Sequence, residues 1–282
     1  MLGCVRVFRT IIPLAALVLA SVAAMAEVPR RVVSVNLCTD QLALILAAPA
    51  QLISVSRLAH DSDSSAMVEA ARKLPTNGSG AEEAYLLNPD LVLAGTYTSH
   101  DTVQMLRNLG IRVEVFAPAR SLQDIPALLA QMGAALGRED EAEAQIVAFR
   151  ATLSALDDAP AERPRAALYY VNSYTTGDRT LAGDILATAG FANVALEAGL
   201  RHGGTLALEQ LVLLQPDVIV TGRDYPGQAR AEDNLNHPAL RALSNTTLAA
   251  TLTDRDWICG TPLVLDAVRA MRDLRLTYEA GQ

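Results

Sequence analysis

The chain has almost no lysine, few aromatic residues and little histidine. Lys73 is its only lysine; of 282 residues 4% are aromatic, one is tryptophan and four are histidine. Acidic residues outnumber basic ones, 31 to 23, for a net charge of −8. That balance argues against a nucleic-acid partner. The shortage of lysine beside abundant arginine carries no functional meaning of its own. His60, His100, His202 and His237 are scattered, without pairing at ligand spacing. A receptor for bare zinc or manganese needs convergent donors, so that class is poorly supported. Catalytic signatures are missing too. No Gly-x-Gly-x-x-Gly follows the first strand-like segment, and there is no phosphate-binding loop, no Gly-x-Ser-x-Gly elbow and no Cys/His pair at diagnostic spacing. An enzyme built on this chain would have to assemble its site from distant residues. No segment after residue 26 is long and apolar enough to span a bilayer.

What is present begins with a leader. Arg6 and Arg9 precede an apolar stretch from Ile11 to Ala24, and Ala24-Met25-Ala26 is a small-x-small cleavage site. The stretch is short for a membrane anchor, and Cys4 precedes it, unlike a lipoprotein cysteine. Residues 1–26 therefore read as a cleavable signal peptide, with a soluble, exported chain starting near Glu27. Loss of the two arginines lowers the net charge from −8 to −10. The exported chain keeps Cys38 and Cys259. In an oxidising compartment they can pair; equally, they can stay as two buried thiols acting as small hydrophobes.

One segment occurs twice, 127 residues apart. Ala81 to Thr96 and Leu208 to Arg223 each read as a short helix, a Pro-Asp stop, an apolar strand and a Gly-containing exit. Each places a glutamate, Glu82 or Glu209, seven residues before its proline. A repeat unit in each half implies two similar α/β lobes with a cleft between them. The rest of the chain fits that plan. Strand signals at 31–36, 53–55, 91–94 and 111–116 alternate with helix signals at 40–46 and 102–109, which predicts a parallel sheet covered by helices. Thr39 is placed to cap the first helix, and 75–80 reads as a loop. From Ser121 to Leu156 apolar residues recur at helical spacing and Gly137 divides two helices; the second, about Asp140 to Leu156, is a stiff connector. Further strands are expected at 166–171 and 249–253, and helices at 181–189, 238–244 and 263–276.

These residues resemble the periplasmic binding proteins that serve ABC importers of cobalamin, haem and ferric siderophores, and the layout is similar to that of the cobalamin-binding members. The resemblance runs from about Arg31 to the last helix. It rests on the opening strand, Asn77-Gly78 before the first glutamate helix, both Glu-x6-Pro-Asp repeats, Tyr174-Thr175-Thr176-Gly177 and the Asp256-Trp257 loop. It implies two Rossmann-like lobes with mostly parallel sheets, joined by one long helix: 27–137, the connector 138–163, and 164–282. It also implies a small-molecule ligand held between the lobes, a metal chelate such as a corrinoid, ferric siderophore or haem. The partner would be a permease dimer in the inner membrane, and the chain would be a monomer without cofactor, catalytic residue or bound metal of its own.

Glu82 and Glu209 match the glutamates that dock onto permease arginines. Two readings of Glu82 stand side by side, because Ser79-x-x-Glu82 is also a capping box. Glu209 has Leu206 three residues earlier and lacks that alternative. For the ligand, the loops after strands are the place to look. They supply Arg57, His60, Asn77 and Tyr97 in the first lobe, and Tyr174, Arg223 and Trp257 in the second. Trp257 would either face the cleft or plug the base of its lobe. A bridge between Cys38 and Cys259 would lie near the cleft and restrain hinge motion. The competing expectation is an exported two-domain α/β enzyme with its active site in the same cleft.

Overall fold

The structure, a computed structural model, describes residues 27–158, 160–222, 234–244, 248–251 and 254–282. The signal segment 1–26 and Arg223 lie outside the described residues. The first half is a five-stranded parallel sheet. Its strands are β1 (Val32–Ser34), β2 (Leu52–Ser56), β3 (Thr76–Asn77), β4 (Leu91–Gly95) and β5 (Arg112–Phe116), in the order β3-β2-β1-β4-β5. Helices α1 (Leu37–Leu46), α2 (Val68–Ala71), α3 (Ala81–Leu86) and α4 (His100–Asn108) cross between them. All five residues of β4 are buried, as a parallel sheet covered on both faces requires.

Two helices follow. α5 (Ile125–Leu136) ends where Gly137 turns left-handed at φ 68°, and α6 (Glu139–Leu156) runs back along it. The second half holds β6 (Arg165–Tyr169), β7 (Tyr174–Thr175), α7 (Leu181–Thr188), β8 (Ala192–Asn193), β9 (Gly204–Thr205), α8 (Leu208–Leu214), β10 (Val218–Thr221), α9 (Pro238–Ser244), β11 (Leu248–Thr251) and α10 (Val264–Ala280). Its main sheet is parallel, in the order β11-β10-β6-β8, with β7 and β9 forming a separate antiparallel pair. Just after β7 the chain has Gly177, where a side chain would strike the Leu200 carbonyl. One continuous apolar cluster runs from β1 and α1 through α5 and α6 into β6, α7 and α10. The two halves therefore share a core across the connector.

The repeated segment is a clasp. In each copy the helix ends on a left-handed residue, Asn88 (φ 49°) or Gln215 (φ 47°), just before the proline. The aspartate after the proline then caps the neighbouring first strand. The Asp90 carboxylate accepts from the Arg30 and Arg31 amides at 2.7 and 3.0 Å. The Asp217 carboxylate accepts from the Arg165 amide at 2.7 Å. The same arginines close the loop with their side chains. The Arg31 guanidinium donates to the carbonyls of Leu87 and Asn88, and that of Arg165 donates to the carbonyl of Gln215. Carbonyls at a helix C-terminus lack intrahelical partners, so each arginine satisfies groups the helix leaves open.

The local details differ from the sequence expectation in three places. Asn36, not Thr39, caps α1, because its side chain accepts from the amides of Cys38 and Thr39. The Thr39 hydroxyl instead donates to the Asn36 carbonyl. Residues 76–77 are a short strand rather than loop, paired with β2. The capping box at Ser79 does not form. Gly80 is the cap position of α3, and Glu83, not Glu82, reaches back to the Gly78 amide.

Removing one clasp carboxylate takes charge-assisted bonds from a strand start. Asp90→Ala and Asp217→Ala are each expected to lower stability by about 1–2 kcal/mol. Urea unfolding of each variant measures this; an unchanged midpoint in both would mean the aspartates do not hold the strands.

Candidate functional site

The carboxyl ends of the two sheets meet in a cleft formed by two adjoining cavities. The first, about 290 Å³, belongs to the N-terminal half. Leu37, Leu42, Leu58, Phe116 and Leu128 wall it, with Asn36 and Thr39 at the start of α1 and Thr96 and Tyr97 just after β4. Its position follows from topology, since each lining loop leaves the carboxyl end of a strand. The second, about 640 Å³, belongs to the C-terminal half. Tyr170, Tyr174, Leu181 and Trp257 line it, with Asn172, Thr176, Thr180 and Thr205 supplying polar atoms. Tyr170 and Trp257 pack edge to face with ring centroids 6.1 Å apart. Asn172 and Ser173 hold left-handed backbone, φ 56° and 57°, and turn the chain back so that Tyr174 joins the wall.

Ile258 lines both cavities and is half exposed between them. The next residue, Cys259, forms a disulfide with Cys38 in the first turn of α1, the Cα atoms 5.0 Å apart. The segment from Trp257 to Gly260 thus belongs to the C-terminal half in sequence but is fastened to the N-terminal wall. Gly260 also lies so close to Ala119 that a side chain there would collide with it. The bridge joins residues 221 apart and crosses from one half to the other at the cleft.

Among the described residues lining either cavity there is no Asp, Glu, His, Lys or Arg. Nor do the described residues hold any cluster of three or more His, Cys, Asp or Glu able to bind a metal ion. A large ligand here meets aromatic faces, aliphatic side chains, hydroxyls and side-chain amides.

The structure brings Tyr97, Tyr174 and Trp257 to the cleft. Tyr97 is 84% exposed at its edge, whereas Trp257 is 5% exposed and forms part of the wall. It leaves Arg57, His60 and Asn77 outside. The Arg57 guanidinium reaches Glu83, 3.4 Å away on the surface. His60 turns its Nε2 to the carbonyls of Ala71 and Leu74, at 2.9 and 3.1 Å. Asn77 is buried and donates to the Ser34 carbonyl, the Ser54 hydroxyl and the Val55 carbonyl. His60 and Asn77 belong to a polar layer beneath the cleft. Asp40 is its charged member: burial pushes its carboxyl up to about 6, against hydrogen bonds from Ser34 and Ser56 that lower it. The sequence reading missed Leu37, Phe116 and Ile258. The signal was available for Ile258, which follows Trp257 and precedes the bridging cysteine.

Glu82 and Glu209 lie away from both cavities. Each is exposed in the first turn of its helix, and neither makes an ion pair or side-chain hydrogen bond with a described residue.

Comparison with known proteins fits this architecture. Over 170 residues the chain is 31% identical to a cobalamin-binding protein of Halobacterium salinarum, a stretch that is 58% of this chain and 46% of that protein. The chain thus spans about half the length of that relative. Two solved structures share the fold. The periplasmic heme-binding protein of Roseiflexus sp. RS-1 superposes with a TM-score of 0.73 at 22% identity, over 87% of this chain and 99% of that one. The periplasmic vitamin B12 binding protein of Vibrio cholerae gives 0.68 at 17%, over 89% and 98%. Residues 32–241 match the family model described as periplasmic binding protein. That match opens at β1 and closes inside α9, taking in the whole first sheet and strands β8, β6 and β10 of the second, so the chain belongs to the periplasmic binding protein family.

Proposed function

We propose that the chain is the exported receptor of an ABC importer, capturing a metal chelate between its lobes and delivering it to a permease dimer. Its leader, residues 1–26, is removed on export to the periplasm, and the chain works as a monomer. Residues 27–137 and 164–282 act as the lobes and 138–163 as the connector. The observation that carries this reading is the cleft, two cavities of opposite lobes that adjoin at Ile258. The mechanism is capture, not catalysis. The ligand rests against Tyr97 on one side and Tyr174 and Trp257 on the other. The Cys38–Cys259 bridge limits how far the walls can part, so the lobes adjust by a small hinge movement.

Of the three ligand types, the lining favours a corrinoid. Haem and ferric citrate present carboxylates, which call for guanidinium partners when desolvated. The described walls offer amides and hydroxyls instead. A corrin fringed with neutral amides suits them, and the likeness to a cobalamin-binding protein points the same way. Delivery would use Glu82 and Glu209, one per lobe, as exposed carboxylates for cationic groups on the permease.

Titration of Trp257 fluorescence with cobinamide, cyanocobalamin, haem, ferric citrate and a ferric trihydroxamate tests the ligand. A corrinoid is expected to bind at least tenfold tighter than haem or ferric citrate. The reverse order would replace the corrinoid with an anionic chelate. Silence with every compound, in fluorescence and in calorimetry alike, would favour the exported two-domain enzyme instead. Delivery has a separate test: Glu82→Arg with Glu209→Arg is expected to abolish uptake while leaving affinity for the corrinoid unchanged. Lost affinity in the purified double variant would put the glutamates in the structure or the site.

A further inference from the structure

The repeat carries more than its glutamates. In α3, Leu86 lies four residues after Glu82 and is 81% exposed. In α8, Leu213 lies four residues after Glu209 and is also 81% exposed. The residues between, Tyr85 and Val212, are 46% and 37% exposed. Positions i, i+3 and i+4 share one helix face. Each lobe therefore presents the same surface triplet of one carboxylate without a partner among the described residues and two adjoining apolar side chains. Single exposed hydrophobic residues are ordinary on a protein surface. The same bulky side chain left in water at equivalent places of two lobes, beside an equivalent acid each time, is not explained by either lobe's packing.

We infer that Leu86 and Leu213, with Tyr85 and Val212, are apolar anchors of the surface that meets the permease. The inference rests on the receptor reading proposed above. Its occupant is a partner with two equivalent sites, each a hollow for a leucine beside a cationic group. Two features support that choice. The triplet is duplicated, so a partner made of two like subunits can engage both copies at once. The acid at the edge of each apolar spot gives it an orientation that a bare patch would lack. Desolvated apolar residues supply the holding energy of such surfaces, and exposed acids supply steering. The clasps serve this surface directly, since Arg31 and Arg165 hold the carboxyl ends of the two helices that display it.

The test uses Leu86→Ser, Leu213→Ser and the double variant of the full exported chain. Two quantities are read for each: affinity for cyanocobalamin, and stimulation of ATP hydrolysis in native membrane vesicles containing the permease. Cyanocobalamin affinity and melting temperature are expected to stay at the native level, because both side chains are already in water. The receptor concentration for half-maximal stimulation is expected to rise at least tenfold for each single variant. The two rises should agree within about threefold, and the double variant should abolish stimulation. Native stimulation curves in the leucine variants would overturn the inference. So would a large effect at one leucine and none at the other, which contradicts two equivalent sites. Glu82→Arg with Glu209→Arg separates the failures. If that variant loses stimulation while the leucine variants keep it, the receptor reading stands and the anchors fall. If the native protein stimulates nothing, both fall.

Discussion

The Asp90 and Asp217 carboxylates each cap the start of their lobe's first strand and tie it to the repeated helix and strand. Within each lobe the capped strand pairs with the strand that follows the aspartate, in register Val32 with Leu91 and Ala166 with Val218. Fixing that pair fixes where the preceding helix ends. The helix is short, so fixing its end also fixes its first turn and the glutamate there. The opposite ends of the same strands open onto the cleft. One local device, used once per lobe, thereby orients the ligand walls at one edge of the sheet and the outward helix face beside them.

The lobes are coupled by two further constraints of different kinds. A shared apolar cluster through α5, α6 and α10 gives a broad, non-directional contact. The Cys38–Cys259 bridge gives a point constraint at the cleft. Between them they limit how far the two halves can part at the cleft.

Much of this was legible in the sequence because it was written in periodicity and repetition. Apolar runs marked β4, β6 and β10, Gly137 marked the break between α5 and α6, and the paired Pro-Asp segments marked two like lobes. What was not legible depended on partners distant in the chain. Asp90 and Asp217 read as turn residues; their roles appear only when Arg31 and Arg165, 59 and 52 residues away, arrive beside them. The Ser79 capping pattern was a correct local signal overridden by its neighbours. Asn77 accepts from the Ser79 amide and holds Ser79 left-handed at φ 63°, which shifts the cap by one residue. Residues after strands do line the cavities, yet position alone does not give direction. Tyr97 points to the edge of the cleft, while His60 and Asn77, chosen by the same rule, fold beneath it to satisfy buried carbonyls.

On the proposed reading one ligand touches both lobes at a wall they share. Amide hydrogen exchange, with and without saturating cyanocobalamin, tests it most directly. Slowed exchange is expected at three places together: the first turn of α1, residues 172–176, and residues 257–260. The outward face of α3 and α8 should be unaffected. Protection confined to one lobe, or centred on α3 and α8, would contradict it.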